Sequence, residues 1–343
     1  MPTVPDPPSP HLPAGLSAQL AAALATSPDH YLHSFEDGAA LFVPMDRAAY
    51  RRSIFLDGRI SPAGDGVLRL PVTTLETLPG TPAAALPTGW IFHVAHCGST
   101  LLARALEALA GDSALVLREP LALRQLGFAP DGDLLPVVLA QLGKRYPGAG
   151  STIIKANVPV NFLLPEIAAR SASAPALFLT MQLDDYLAAI LRSDNHRAWL
   201  RGITGHFAAE LGITDPLGDG AAAAALWLGQ MRRFSAALAV MPAARTLDAE
   251  RFFAAPACAL AGAARLFGIT TSDAEIAQLV QGPLFGTYSK RPELGFNNAM
   301  RLERRAQIAG ELGADLAAAR AWLTHAAPDA AELWSGLAAA ALA

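Results

Sequence analysis

One stretch, WIFHVAHCGSTLLARALEALA at Trp90–Ala110, constrains the fold more than any other part of the chain. Its apolar start predicts a buried strand, a turn around Gly98 follows, and apolar residues at helical spacing predict a helix over Ser99–Ala110. The first amide groups of such a helix have no partner within the helix, and the helix dipole favours negative charge beside them. Strand, glycine turn and helix start together predict a loop that binds a phosphate-like anion.

The residues of this loop indicate which kind of anion loop it is. Gly98 lets the backbone approach an anion closely, and Ser99 and Thr100 add hydroxyl donors to the amides that run to Leu101. The standard nucleoside-triphosphatase loop needs Gly, four residues and then Gly-Lys-Ser/Thr, whereas Ser99 stands here at the lysine position. The sequence therefore predicts a phosphate-binding loop of another class, with a ligand-free strand–turn–helix as the alternative.

Two further residues of the loop have chemistry of their own. His96 can donate a hydrogen bond to an anion when it is protonated, and the ordinary pKa of a histidine lies near neutrality. The alternative for His96 is a turn residue with no proton role. Cys97 is interpreted as a small spacer in the loop. The alternative is that Cys97 is an acidic thiol, because it lies at the start of a helix.

Composition excludes several classes of function. The chain has 343 residues, of which 52% are hydrophobic, so it can bury a sizeable core. Its 26 basic and 30 acidic residues give a net charge of −4, which does not favour a nucleic-acid partner. Two cysteines, Cys97 and Cys258, make no disulfide framework, so a reducing, cytoplasmic location is expected. The proline-rich start is not a secretion signal, and no apolar run predicts a membrane span.

Beyond residue 88 the pattern alternates between strands and helices. The predicted strands are Trp90–Val94, Ala114–Leu117, Thr152–Lys155, Ala176–Met181 and Arg245–Leu247. Helices are predicted over Ser99–Ala110, within 121–144, over Phe162–Arg170, Asp184–Leu200, Ala221–Ala239, Ala255–Phe267 and Ser272–Gln281. This alternation predicts an α/β fold, a parallel sheet with helices on both faces, whose ligands bind beyond the carboxyl ends of the strands.

The chain divides into three predicted segments. Residues 1–14 are expected to be disordered. Residues 15–88 form a small α+β N-terminal extension with a helix at Ala18–Ala25, strands at Ala40–Val43 and Val67–Pro71, and a Pro/Ala linker at Pro79–Pro87. Residues 89–343 form the main α/β domain.

A glutamate follows the second strand of the main domain. Glu119 lies in the run LVLREPL, and Pro120 suits the first turn of the next helix. A carboxylate at this strand end faces the anion loop across the crevice and can take a proton as a general base. A helix-dipole partner or a salt bridge is the alternative role for Glu119. The side chain of Arg118 is expected on the opposite face of the strand from that of Glu119. Arg118 is therefore the weaker candidate for a site residue.

A lysine ends the third strand. Lys155 closes the apolar run TIIK, a costly position for a charge unless it has a partner or reaches water. We expect it to lie at the same edge of the sheet as the anion loop, where Asn157 and Asn161 are also expected. A lysine that merely extends its amino group into solvent is the alternative.

The order of these features resembles the sulfotransferase superfamily, especially bacterial sulfotransferase-like proteins with a CGSTLL or SGSTLL core. The resemblance covers residues 88–300 and rests on the anion loop, the Glu119-Pro120 pair, Lys155 and a late basic loop. It implies a P-loop-like fold and transfer of a sulfonate from PAPS (3′-phosphoadenosine 5′-phosphosulfate) to a hydroxyl or amine. The acceptor is expected to be a small molecule or a peptide, and no metal is expected.

The resemblance also implies roles for individual residues. Glu119 is the expected base, and His96 and Lys155 are expected to hold the sulfonate and the leaving phosphate. The expected cofactor-binding residues are His96, Cys97, Gly98, Ser99, Thr100, Leu101, Arg192, Tyr288, Ser289, Lys290 and Arg291. The last four belong to a basic loop that closes over the 3′-phosphate and adenine in family members.

The sequence departs from the family at the 3′-phosphate. Alignment on the helix after the fourth strand puts Met181 where the family has arginine and Ala189 where it has serine. Arg192 and His196, with Arg197 and Arg201 nearby, are the candidate substitute clamp. A solvated basic face is the alternative for these four residues. A later helix carries Arg301, Arg304 and Arg305, and the face that Arg301 and Arg305 share is expected to be solvated.

Three alternative functions remain open from the sequence. A kinase-like transferase would need Mg²⁺, for which Asp184 and Asp185 are the candidate ligands, but the missing loop lysine opposes it. A non-catalytic nucleotide- or partner-binding protein is favoured by the missing 3′-phosphate ligands. An enzyme that modifies peptides or proteins would use residues 15–88 to recognise its acceptor.

Overall fold

The structure is a computed structural model that describes residues 16–78, 88–288, 291–295 and 297–343. The segment 1–14 and the linker Pro79–Pro87 lie outside the described residues, as do Ser289 and Lys290 of the basic loop.

The N-terminal extension is an antiparallel sheet of three strands with short helices. Its elements are α1 (Ala18–Thr26), β1 (His30–Glu36), β2 (Ala39–Pro44), α2 (Arg47–Arg52), β3 (Leu68–Pro71) and α3 (Thr73–Glu76). Strand β1 was not predicted, because a register shift between Leu32 and Ser34 interrupts its alternation of apolar and polar residues. The small α+β extension expected from the sequence is present.

The main domain begins at β4. Its elements are β4 (Thr88–His93), α4 (Ser99–Ala110), β5 (Ala114–Arg118), α5 (Leu121–Phe128), α6 (Leu134–Leu142), β6 (Ser151–Lys155), a 3₁₀ helix (Val158–Leu163), α7 (Leu164–Arg170), β7 (Ala176–Thr180), α8 (Leu183–Ile190), α9 (Asp194–His206), α10 (Asp219–Val240), β8 (Ala244–Asp248), α11 (Ala249–Ala254), α12 (Pro256–Leu266), α13 (Asp273–Gln281), α14 (Pro283–Gly286), β9 (Thr287–Tyr288), β10 (Arg291–Gly295), α15 (Asn298–Glu311), α16 (Gly313–Ala326) and α17 (Ala330–Ala339).

Strands β4–β8 form one parallel sheet in the order β5-β6-β4-β7-β8. On one face, Phe178 of β7 stacks on Phe234 of α10 with ring centroids 4.9 Å apart. On the opposite face of β4, Gly89 leaves room for the ring of Phe267, which a Cβ would meet at 2.6 Å. Helices therefore cover both faces, and the predicted α/β class is confirmed.

The order of the strands places the candidate residues. Central β4 pairs with β6 and β7, and β5 pairs with β6 so that Arg118 lies opposite Lys155. The carboxyl ends of β4, β5 and β6 are consequently neighbours at one edge of the sheet. The anion loop, Glu119 and Lys155 follow or close these three strand ends.

Some of the predicted helices are wrong in extent. The single helix expected over Asp184–Leu200 is broken between Ile190 and Asp194, because Ser193 is extended (φ −162°, ψ 162°) and begins a new helix as an N-cap residue. The region within 121–144 holds two helices, α5 and α6. The last helix ends at Ala339, and Ala341 bridges to Thr246 of β8.

None of the helices in the described part of the chain is both long and apolar enough to cross a membrane.

A buried lysine joins the extension to the main domain. Lys144 Nζ donates to the carbonyl oxygen of Leu24 at 3.1 Å and to that of His30 at 2.5 Å. Burial lowers the pKa of Lys144 from 10.5 to about 7, and the Asp29 carboxylate opposes the shift.

This lysine predicts a pH dependence of stability. Between pH 7 and 10.5 the unfolded chain holds the Lys144 proton that the folded chain releases. Since the unfolded state binds more protons there, the free energy of unfolding rises with pH across this window. Urea unfolding from pH 6.5 to 10 measures the slope, and Lys144→Met is expected to flatten it. Equal slopes in the variant and the wild type would show that Lys144 does not titrate in this way.

Candidate functional site

The anion loop links β4 to α4 and has two residues in the left-handed region. Gly98 is the N-cap residue of α4, with φ 83° and ψ 4°. His96 has φ 63°, which is uncommon for a residue with a side chain. The strand–turn–helix predicted from the sequence is present, and Ser99, Thr100 and Leu101 form the first turn of the helix. The first amides of a helix have no acceptor within the helix itself, which is the donor arrangement that anion sites use.

Cys97 lies under the loop and not at its surface. It is fully buried, and burial raises the pKa of its thiol to about 11, although the amide and hydroxyl of Ser99 act in the opposite direction. A thiol with this pKa is almost entirely protonated at neutral pH. The structure therefore favours the spacer role for Cys97.

Alkylation distinguishes the two cysteines. At pH 8, iodoacetamide is expected to modify exposed Cys258 and to leave Cys97 unmodified in the folded protein, because the thiolate is the reactive form. Mass spectrometry of the intact protein and of its peptides gives the stoichiometry. Rapid modification of Cys97 under native conditions would contradict the burial of its thiol, and unfolding in urea is the positive control.

Glu119 and Lys155 form an ion pair at the ends of β5 and β6. Lys155 is completely buried, and its Nζ donates to Oε1 of Glu119, whose side chain is 16% exposed. The amide of Glu119 also donates to the carbonyl oxygen of Lys155 at 2.8 Å. The two residues singled out from different strands are therefore in direct contact. Lys155 is therefore buried and does not extend into solvent, and the salt bridge given as the alternative role of Glu119 is present. The anion-holding role of Lys155 stays a prediction.

A histidine completes this group and was missed by the sequence analysis. His93 Nε2 lies 3.9 Å from Oε1 of Glu119, and His93 Nδ1 lies 2.9 Å from the carbonyl oxygen of Val94. Because a carbonyl oxygen only accepts, Nδ1 carries the hydrogen and Nε2 is directed toward the carboxylate. The available signal was a polar residue at the end of an otherwise apolar strand, which is also typical of a satisfied core histidine.

A second basic group lies beside the anion loop. The rings of His96 and His196 are 4.5 Å apart, and His196 Nε2 accepts from Arg192 Nε at 3.0 Å. His196 Nδ1 is 2.5 Å from Oγ of Ser193, and donates to it if Nε2 accepts. The structure thus brings Arg192 and His196 together and places His196 beside His96, and binding of the 3′-phosphate by this group stays a prediction.

The other candidates for this clamp lie elsewhere. Arg197 pairs with Asp219 at 2.9 Å and with Asp315 at 2.8 Å, and Arg201 pairs with the same Asp219. Met181 is 3% exposed, and its carbonyl oxygen accepts from the indole of Trp227. The position aligned with the family's arginine is therefore part of the core.

An aromatic ring and an arginine cover Gly98. The ring of Phe253 occupies the space where a Gly98 Cβ would stand, at 2.6 Å, and the guanidinium of Arg301 lies 4.2 Å from the centroid of that ring. Arg301 also binds Glu250 through two hydrogen bonds of 2.6 and 2.7 Å. The expectation that Arg301 lies on a solvated face is wrong, because α15 packs this arginine over the ring that covers the anion loop.

The basic loop is only partly within the described residues. Strands β9 and β10 form an antiparallel pair in which Arg291 lies opposite Tyr288. Ser289 and Lys290 lie outside the described residues, so the predicted closure of this loop over a nucleotide stays a prediction.

The carboxylates considered as Mg²⁺ ligands are paired with arginines. Asp184 pairs with Arg320, and Asp185 pairs with Arg305 at 2.9 Å. Within the described ranges, no group of three or more His, Cys, Asp or Glu side chains is arranged to hold a metal ion. These ion pairs disfavour the kinase-like alternative at this position.

Two of the solved structures that are similar to this chain are sulfotransferases. One is a sulfotransferase domain from the curacin biosynthetic pathway, with 12% identity over 65% of this chain and 96% of that chain, and a TM-score of 0.39. The other is a sulfotransferase from Alicyclobacillus acidocaldarius, with 15% identity over 69% of this chain and 99% of that chain, and a TM-score of 0.37. Both carry the name of the family that the sequence resembles. No family model and no curated protein matches the chain.

Proposed function

We propose that the chain is a sulfotransferase-like cytoplasmic enzyme of bacterial type that transfers a sulfonate from PAPS to a hydroxyl or amine of a small-molecule or peptide acceptor. The observation that carries this proposal is the buried Glu119–Lys155 pair beside the anion loop at one edge of the sheet. A base and a cation next to an anion cradle are the groups that such a transfer needs.

The donor set fits the phosphosulfate end of PAPS. The first-turn amides of α4, the hydroxyls of Ser99 and Thr100, and the ring of His96 are all hydrogen-bond donors at one helix start. For the 3′-phosphate of PAPS, Arg192 takes the place of the arginine that the family has where this chain has Met181. Its guanidinium carries the positive charge and the planar donors that suit a phosphate.

In the proposed reaction, Glu119 acts as the base, and Lys155, the loop amides and His96 hold the negative groups. PAPS supplies an activated sulfonate on a phosphate leaving group. Glu119 takes the proton from the acceptor as the acceptor's oxygen or nitrogen attacks sulfur. Lys155 and the loop amides hold the negative oxygens, and His96 donates to the phosphate on which charge grows. Positioning and electrostatics then provide most of the rate enhancement, as in phosphoryl transfer.

Calorimetric titration with PAP, the desulfonated form of PAPS, tests this proposal without any acceptor. We expect PAP to bind in the absence of Mg²⁺ and AMP, which lacks the 3′-phosphate, to bind more weakly. Arg192→Ala is expected to weaken PAP binding by roughly 10- to 100-fold, the value of one charge-assisted contact, with little effect on AMP. Arg201→Ala is the control, because Arg201 is paired with Asp219.

Other results would redirect the proposal. Binding of ATP only with Mg²⁺ would favour the kinase-like alternative. No binding of any nucleotide at millimolar concentration would favour a non-catalytic, partner-binding protein. That alternative is supported by buried Met181 and by Ala189, which stand where the family has arginine and serine.

A further inference from the structure

A segment of the N-terminal extension lies against the loop that contains Glu119. We call residues 53–59 the strap. The amide of Leu56 donates to the carbonyl oxygen of Arg118 at 2.8 Å, and the carbonyl oxygen of Leu56 accepts from the amide of Leu121 at 3.1 Å. The strap is therefore hydrogen-bonded to the chain on both sides of Glu119.

Arg118 strengthens the same connection. Its side chain is 1% exposed and donates to the carbonyl oxygens of Tyr50 at 2.5 Å and Ser53 at 2.6 Å. Its Nη1 pairs with Oε2 of Glu107 on α4 at 2.7 Å. One buried guanidinium thus ties the extension, the end of β5 and the helix of the anion loop together.

This connection matters because of the backbone at Glu119. Glu119 has φ 57°, a left-handed conformation that costs energy for a residue with a Cβ and persists only when its surroundings fix it. The two hydrogen bonds of Leu56, together with the bond from the Glu119 amide to Lys155, are the constraints that hold it.

The strap also covers the ion pair. Phe55 is 3% exposed, and its ring centroid lies 5.6 Å from Nζ of Lys155. The guanidinium of Arg59 lies 3.9 Å from the same centroid and binds Asp57 through an Nε–Oδ1 hydrogen bond of 2.8 Å. An apolar ring at this position excludes water from the Lys155 side of the pair, which strengthens the attraction between the two charges.

We propose that the strap is part of the active site, with Phe55 and Arg118 as positioning residues that hold Glu119 in its working orientation beside Lys155. The proposal rests on the proposed function, since it assumes that Glu119 is the base. It gives the extension a role in the reaction itself.

Two phenylalanines of the extension provide a matched test. Phe55 and Phe42 are 3% and 2% exposed, and their ring centroids lie 5.6 and 5.7 Å from the Nζ atoms of Lys155 and Lys144, respectively. Phe55→Leu and Phe42→Leu remove similar packing from the same unit, and only the first is next to Glu119. The leucine variants keep most of the apolar volume, so both are expected to fold.

The readouts are steady-state kinetics, PAP affinity and hydrogen exchange of the Leu121 amide in the ligand-free protein. We expect Phe55→Leu to lower kcat by roughly 10- to 100-fold, the effect of a misplaced catalytic group, while the Kd of PAP changes little. The Leu121 amide should exchange faster in Phe55→Leu. In Phe42→Leu, kcat and Leu121 exchange should stay close to the wild type.

Two outcomes separate the strap from the proposed function. Equal losses of kcat in the two variants, or equal Leu121 exchange, overturn the positioning role. A wild-type chain that binds no PAP overturns the proposed function instead, and the Leu121 exchange comparison still tests the contact between the strap and the Glu119 loop in that case because it needs no ligand.

Discussion

Glu119→Gln is expected to lower kcat by roughly two to four orders of magnitude, the usual contribution of a general base. Gln keeps an oxygen at the position of Oε1, so the buried Nζ of Lys155 retains a hydrogen-bond acceptor. The loss is therefore chemical, since an amide cannot take the acceptor's proton. Single-turnover rates with saturating donor measure the effect directly.

The binding of PAP provides the first control for this variant. The amides and hydroxyls of the anion loop do not depend on the Glu119 carboxylate, so the Kd of PAP should change by less than about threefold. Glu36→Gln is the second control, because it makes the same chemical change to an ion-paired glutamate on the extension. Turnover by Glu119→Gln at the wild-type rate would remove Glu119 as the base.

The sheet and the placement of Glu119 and Lys155 at one edge of it were predictable because their signals are local. Each predicted strand is a short apolar run bounded by a turn, and parallel strands place their carboxyl ends at one edge. Direct contact between the two residues depends on β5 lying next to β6, and the strand order that makes them neighbours was not predicted from the sequence.

The rest of the site depends on contacts between distant parts of the chain. Phe253 and Arg301 cover Gly98 only because α11 and α15 fold back over the loop, and their spacing contains no signal of this. The strap has no regular secondary structure, and its bonds to the loop at Glu119 join residues more than 60 positions apart. His93 reads as a core residue until the end of β5 is placed beside it.

Lys155→Met is expected to destabilise the protein by about 3–5 kcal/mol, because it leaves the carboxylate of Glu119 without its cation in a largely buried site. The double variant Lys155→Met/Glu119→Gln removes both charges and should regain most of this loss. Urea unfolding of the wild type, the two single variants and the double variant gives the coupling free energy.

The second buried lysine provides the contrast for this cycle. Lys144 donates to two carbonyl oxygens instead of a carboxylate, and burial lowers its pKa to about 7, so its charge opposes folding at neutral pH. Lys144→Met combined with Glu119→Gln should therefore show additive changes in the free energy of unfolding, within roughly 0.5 kcal/mol.

The Lys155→Met/Glu119→Gln variant should recover stability and stay inactive, because the base and the cation are both gone. Additive losses for Lys155 and Glu119, with no recovery in the double variant, would mean that the two charges do not stabilise each other.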